Sequence, residues 1–302
     1  MAIQADDASA ETGRQLALRQ FMRNRAAAVG FACLVLICLL AIAAPLVSPY
    51  DPAAIKLSEK LQSPSLAHWL GTDHFGRDVL SRMIWGARIS LSVGVTVVTF
   101  ALVTGVPFGL VAGYVGGKTD NALMRLMDGF LTFPPLLLGV AIVGLLGPDI
   151  QNVMLALGIV QMPVFARIVR SATLSVRTET YITATRALGA GVGRVIMHIL
   201  GNIMSAIVVQ VTIGFSAAVI AEASLSFLGL GVQPPASSWG RDLSEARRFM
   251  GDAPWLFLAP TFIIMICVMS INFVGDGLRD ALQPRSWRPR RAVASPAGAT
   301  GT

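Results

Sequence analysis

Six apolar stretches divide the chain, at about residues 26–47, 89–116, 123–146, 150–166, 203–230 and 255–274. Each is close to or above the roughly 20 residues a helix needs to cross a bilayer. They are too long for membrane strands and lack a period-2 alternation. The pattern predicts an all-α integral membrane protein with six transmembrane helices. No charge interrupts the chain between Arg25 and Asp51. The third stretch carries Arg125 and Asp128 near its start, three residues apart and placed for a local pair. The fourth is short and runs straight into Arg167 and Arg170. The fifth is broken only by Glu222. Arg19, Arg23 and Arg25 before the first stretch resemble the start of a secretory signal, but the apolar run exceeds a 7–15-residue signal core. The expectation is an uncleaved first helix.

The polar intervals are more specified than simple connectors. Segment 48–88 opens with Ser48-Pro49-Tyr50-Asp51-Pro52, which cannot continue a helix. In it, Gly71 and Gly76 mark turns, and Asp78 is placed to cap a helix or to face Arg82 one turn on. Residues 78–88 read as an amphipathic helix at the membrane surface. Segment 167–201 holds Tyr181, Ala184, Thr185 and Leu188 at i, i+3, i+4 and i+7, one stripe of a short helix. Gly189 is its expected C-terminal stop. Such a helix can lie in a groove of a cytoplasmic partner or on lipid headgroups. Segment 231–254 begins with paired glycines and prolines and places Trp239 as an interfacial anchor.

Composition agrees with the pattern. Hydrophobic residues make up 54% of the 302 and charged residues 14%, against about 25% charged in soluble domains. With the N-terminus inside, sixteen of the 24 Lys and Arg residues fall in inside segments and eight outside. This bias predicts both termini in the cytoplasm. Topology therefore accounts for the net charge of +7; no aromatic-interleaved basic groove points to nucleic acid. The organisation expected is a cytoplasmic segment 1–25, a membrane domain 26–283, and a disordered basic tail 284–302 near anionic lipid.

Candidate chemistry is sparse. Cys33, Cys38 and Cys267 fall in spans and read as small packing residues. Gly113-Tyr114-Val115-Gly116-Gly117-Lys118-Thr119 imitates a phosphate-binding loop, but the glycine spacing fails and no strand precedes it. His68 and His74 are close enough in sequence to meet a metal, or are simply exposed loop histidines; neither they nor His198 has zinc-protease spacing. Glu222, a full charge inside a span, faces either a substrate pathway or a hydrogen-bond network within the bundle. Asp276 is expected to meet Arg279 or a neighbouring helix.

Four ordered segments, 70–88, 112–133, 221–241 and 272–285, resemble the second permease subunit of dipeptide, oligopeptide and nickel ATP-binding-cassette importers, across nearly the whole chain. The resemblance implies a type I importer permease fold in the plasma (inner) membrane of a bacterium, half of a translocation pathway for peptides. It implies a second homologous permease subunit, two ATP-binding subunits and an extracytoplasmic binding protein. The chain itself then needs no cofactor and is no enzyme, since ATP and Mg are bound by the ATPases. Nickel or another small solute is the alternative substrate, and a secondary transporter or channel the more distant one; no inverted repeat supports that class. The ATPase-coupling motif maps onto Tyr181, Thr183, Ala184, Thr185, Arg186, Leu188 and Gly189. Thr183 stands where the family usually has Glu, and Gly201 where proline is usual. Glu222, Gln210 and Ser226 are assigned to the pathway or gate, and Asp73, Arg77, Asp78 and Trp239 to contacts with the binding protein.

Overall fold

The computed structural model describes residues 19–282; the basic tail and the first 18 residues lie outside that range. The described residues are helical, with one isolated bridge, Thr72 to Asp78. The helices are α1 (Arg25–Ile42), α2 (Ala44–Val47), α3 (Val79–Val115), α4 (Gly117–Leu131), α5 (Pro135–Leu146), α6 (Ile150–Val176), α7 (Thr180–Ala187), α8 (Val192–Phe227), α9 (Trp239–Ala246) and α10 (Pro254–Leu282).

Five of them, α1, α3, α6, α8 and α10, are long and apolar enough to cross a membrane. The sixth expected span is not one rod: α4 and α5 meet at an 83° bend. The break falls at Thr132-Phe133-Pro134-Pro135, where two prolines remove backbone donors and forbid a continuous helix. The sequence reading joined them because apolar residues continue across the break.

The other difference is length. Helix α3 runs 37 residues, about 55 Å at 1.5 Å per residue, well beyond a 30 Å hydrocarbon core. The expected surface helix over 78–88 is its first turns, capped by the Asp78 carboxylate on the Ser81 N–H. Helix α8, 36 residues, likewise extends beyond its span on the inner side. Gly201 sits inside it without a break, in open space, so the missing proline leaves a longer unbroken rod.

Helices α3 and α6 pack along a seam built on glycine. Gly105, Gly109 and Gly113 recur every four residues, on one face of α3. A methyl carbon at Gly105 would lie 2.7 Å from the Met162 carbonyl oxygen, at Gly109 2.5 Å from that of Ala166, and at Gly113 2.7 Å from Thr173 Cβ. No side chain fits, so the backbones approach closely, as small-residue repeats allow in membranes. Glycine repeats this device at Gly94 against Phe215, Gly158 against Phe100, and Gly277 against Ala27. Side-chain bonds supplement it: Gln161 donates to the Gly214 carbonyl at 2.9 Å and Ser216 to Asn272 at 2.8 Å. The cysteines are free packing residues, Cys267 buried and Cys33 and Cys38 half-buried.

Gly109→Leu is expected to destabilise the fold by about 1–3 kcal/mol or more, as overpacking does. Gly144→Leu on α5, where nothing lies within 4 Å, serves as the tolerated control. Thermal melting of both detergent-purified variants checks this; equal melting temperatures would contradict a seam that admits no side chain.

Candidate functional site

At the end of the bundle expected to be the inner one, α7 is an eight-residue helix between α6 and α8. Ile182 is its anchor, fully buried among Val169, Val195, Ile199 and Ile203. The Arg186 guanidinium stacks over the Tyr114 ring at 5.0 Å from the centroid, tying α7 to the end of α3. Gly189 (φ +78°) ends the helix in the left-handed conformation that glycine adopts without strain, and Ala190 N–H closes the turn onto the Thr185 carbonyl. The expected stripe faces outward: Tyr181 is 42% exposed and Leu188 89%, with Ala184 exposed beside them. Thr183 is also exposed, its hydroxyl turned back to the Glu179 carbonyl at 3.3 Å. The stripe leaves apolar surface of a short helix uncovered, outside any long apolar run.

The ground under α7 is strapped. Arg170 pairs with Asp120 through both carboxylate oxygens, at 2.5 and 2.6 Å. Arg177 donates to the Gly113 carbonyl at 2.7 Å. Together they lock α3, α4 and α6 at their inner ends. Asp128 does not pair with Arg125 as expected; Arg167 of α6 reaches it at 2.5 Å. Among the described residues no ion pair joins Asp276, which is exposed, to Arg279.

At the opposite end, the one expected to be outer, segments 48–78 and 231–254 fold into a cap over the helices. Asp73 accepts from the Phe75 and Arg77 N–H groups at 2.8 and 2.9 Å, forming the turn that Gly76 (φ +74°) completes. The Arg77 side chain bridges Asp73 (2.5 Å) and Glu245 (2.8 Å), and Arg241 holds the other oxygen of Glu245 at 2.8 Å. Asp78 takes His68 Nδ1 at 2.9 Å and the Ser81 N–H and hydroxyl at 2.8 and 2.7 Å. Arg82 pairs with Asp242, whose other oxygen accepts from the Ser237 hydroxyl at 2.6 Å. Burial pushes the Glu245 carboxyl up, but the Arg241 hydrogen bond and the charges of Arg82, Arg77 and Arg241 outweigh it and hold it below its ordinary value.

Four expectations are corrected here. Asp73, Arg77 and Asp78 are buried, each satisfied inside the cap, so their side chains do not face a delivering protein. Trp239 is wholly buried rather than an interfacial anchor, because Gly86 leaves room for its ring and its Nε1 donates to the Met83 carbonyl at 3.0 Å. His68 and His74 are neither exposed nor convergent. His68 is held by Asp78 and Glu59, and His74 stacks on Phe249 at 5.0 Å between centroids. His74, Asp73 and Glu245 do approach within 4.8 Å, but Arg77 already neutralises both carboxylates.

The fourth is Glu222. It is 1% exposed and accepts three hydroxyls: Ser226 at 2.7 Å, Ser238 at 2.9 Å and Ser90 at 3.3 Å. Ser238 is also the cap of α9, accepting the Arg241 N–H at 3.2 Å, and Ser90 accepts the Trp239 N–H at 3.4 Å. The carboxylate therefore ties α3, α8 and α9 together and does not open onto a pathway; Ser226, 1% exposed, is part of the same knot. Gln210 is buried in α8 without a side-chain hydrogen bond among the described residues. Sequence reading missed Ser90, Ser238, Asp242 and Glu245; the last three follow one another at steps of four and three on α9 and its cap, but the partners Arg82 of Asp242 and Arg77 of Glu245 lie 160 and 168 positions away.

The comparisons match this geometry. Residues 105–288 match the family described as "Binding-protein-dependent transport system inner membrane component", and residues 14–64 the "N-terminal TM domain of oligopeptide transport permease C". The chain is 47% identical over 270 residues to the "Dipeptide transport system permease protein DppC" of Alkalihalophilus pseudofirmus, covering 89% of each. It is 42% identical to the "Di/tripeptide transport system permease protein DppC" of Pseudomonas aeruginosa, covering 88% of this chain and 90% of that one. It is also 42% identical to the "Glutathione transport system permease protein GsiD" of Escherichia coli O6:K15:H31, covering 88% and 89%. An inward-facing structure of the MetNI methionine ABC transporter shares the fold, with a TM-score of 0.58 at 21% identity, over 68% of this chain and 98% of that one. The fold is that of an importer permease, all-helical and multi-pass. The chain belongs to the binding-protein-dependent transport system inner membrane components and is a transmembrane permease.

Arg82→Ala would strand Asp242 in the cap and is expected to cost about 3–5 kcal/mol, whereas Arg82→Met with Asp242→Leu should cost markedly less. Glu222→Ala should cost about 1–3 kcal/mol by orphaning buried hydroxyls. Thermal unfolding with limited proteolysis of segment 231–254 reads both. If the double variant is no more stable than Arg82→Ala alone, the cost does not lie in a stranded charge.

Proposed function

We propose that this chain is one of two permease subunits of an ATP-driven importer of short peptides, with both termini in the cytoplasm and α7 seated in a groove of an ATPase subunit. The observation that carries the reading is the open stripe of α7. Leu188, 89% exposed, and Tyr181 sit on a helix clamped from behind by Ile182 and Arg186, so a push on the stripe moves the inner ends of α3, α6 and α8 together. The excess of Lys and Arg in the inside segments supports the orientation. The peptide substrate is supported by the named substrates of the relatives, two of which are dipeptide or di/tripeptide permeases.

In this reading nucleotide never meets the chain. ATP and Mg are held by two partner subunits, whose closure shifts the permease between inward- and outward-open states. A second, similar permease subunit completes the pathway. An extracytoplasmic protein delivers substrate to the cap. Since the ion pairs of the cap are buried, that protein meets outer side chains such as Leu66 and Trp69, 97% and 70% exposed.

Leu188→Arg, in a chain co-expressed with its partner subunits, is expected to lower ATPase co-purification at least about tenfold, the effect of placing an unpaired charge in an apolar groove. The melting temperature should stay unchanged, because Leu188 contacts no core. Undiminished co-purification would remove α7 as the docking element. ATP-independent peptide uptake by the reconstituted complex would remove the importer reading itself.

A further inference from the structure

The open face of α8 repeats at a spacing that lipid does not require. Ala206, Gln210, Ile213, Ala217, Ile220 and Ser224 follow one another at alternating steps of four and three. That is the period of a seam between helices, in which each layer inserts into a facing helix. Ile213, Ala217 and Ile220 are exposed, and Ala206 and Ser224 half-buried. Toward the cap the stripe becomes the floor of a groove. Ile220 and Ser224 line a cavity of about 460 Å³ between Leu136 of α5 and Phe257 and Ile264 of α10. The Ser224 hydroxyl is turned away from it onto the Ile220 carbonyl at 2.8 Å, so the groove offers mainly apolar surface.

The layer at Gln210 decides what covers the stripe. Gln210 lies twelve positions from His198 and twelve from Glu222, the nearest ionisable residues on either side of it in α8. That is about 18 Å from each along the helix, near the middle of the span. The side chain is 7% exposed and makes no hydrogen bond among the described residues, unlike Gln161, which donates to the Gly214 carbonyl. The enclosed side-chain polar atoms without a partner, among the described residues, are Trp85 Nε1 and Thr173 Oγ1. The Gln210 amide is therefore not sealed in; it opens onto the surface of the bundle. Acyl chains offer it no partner, and an unpaired amide at that depth costs about 1–3 kcal/mol. A water-filled wall would satisfy the amide but would wet Ile213, Ala217 and Ile220 in a row. A facing helix meets both conditions. Its apolar layers fill the groove, and one polar side chain pairs with the amide, as single polar layers fix register between packed helices.

We propose that the open stripe of α8 is the seam with the second permease subunit, and that the Gln210 amide exchanges a hydrogen bond with a hydroxyl or carboxamide on a spanning helix of that subunit. This rests on the importer reading above and assigns the surface and the residue through which its two permeases meet. The two polar groups of α8 then have different owners. Glu222 is satisfied within the chain, and Gln210 is left for the partner.

Two measurements on the complex purified with its partner subunits test it. With p-benzoylphenylalanine in place of Ile220, irradiation is expected to join the chain to the second permease subunit, identified by mass spectrometry. Adducts confined to phospholipid, to the ATPase subunits or to another copy of this chain overturn the seam. Separately, Gln210→Leu is expected to weaken retention of the second permease in detergent about threefold or more, the effect of losing one hydrogen bond between spanning helices. The melting temperature of the full chain purified alone should not fall, because the amide has no partner within it. Retention at the wild-type level by Gln210→Leu overturns the assignment, as does a fall in the melting temperature of the chain alone, which would mark a structural role. A wild-type chain that holds no second permease removes the importer reading and the seam with it, whereas a complex that forms without the Ile220 adduct removes the seam alone.

Discussion

A helix in lipid gains little by burying its apolar face against another, since the tails around it are as apolar as leucine. Close backbone approach is what remains, and here it is concentrated in the α3–α6 seam. Gly105, Gly109 and Gly113 bring α3 against the Met162 and Ala166 carbonyls and against Thr173. The seam fixes the two helices that carry most of the polar ties at either end. Arg82 and Ser90 of α3 reach into the cap, and Arg170 of α6 and Arg177 at its C-terminal cap strap the opposite end. Without the seam those side chains would have no common frame.

The ends differ in what they bury. The outer cap encloses charges in opposite pairs, Arg82 with Asp242 and Arg77 with Asp73 and Glu245, and sets Glu222 on three hydroxyls beneath them. Enclosed pairs are weak sources of net stability, because desolvation offsets the attraction. They are, however, costly to break singly, which makes the cap fold in one arrangement. The inner end keeps its ion pairs nearer the surface and leaves the α7 stripe open. One end of the bundle is thus held closed by enclosed charge pairs, while the other leaves the α7 stripe unpartnered among the described residues.

How much of this the sequence revealed follows from what each feature depends on. Spans and turns are local properties: apolar runs located the five long helices and the bent α4–α5 pair, and Gly71, Gly76 and Gly189 take the positive φ that their turns need. The α7 stripe was legible from period alone, because its exposure follows from being one short amphipathic helix. The break in the third span was hidden by continuous hydropathy, although Pro134-Pro135 is its visible cause. Roles set by distant partners were not legible. Glu222 in isolation suggests a gate, and only Ser90, 132 positions away in the chain, with Ser238 beyond the helix end, makes it a knot. Trp239 similarly suggested an anchor until Gly86 supplied its pocket. The glycine spacing of four in α3 was readable, yet its meaning required knowing which helix it faced.

These placements constrain how motion can cross the chain. Ile182 and Arg186 hold α7 to α8 and α3, while Arg177 and Arg170 hold α6 to α3 and α4. These ties join α7, α3, α4, α6 and the nearby part of α8 into one packed body. The side chains that could yield are at the periphery of that body. The α4–α5 bend carries two prolines, and the exposed Asp128–Arg167 pair ties its α4 side to α6. An exposed pair of this kind contributes little to stability, so the tie across the bend is a weak one, and the shape of the bend is set by the backbone restrictions of Pro134 and Pro135 instead.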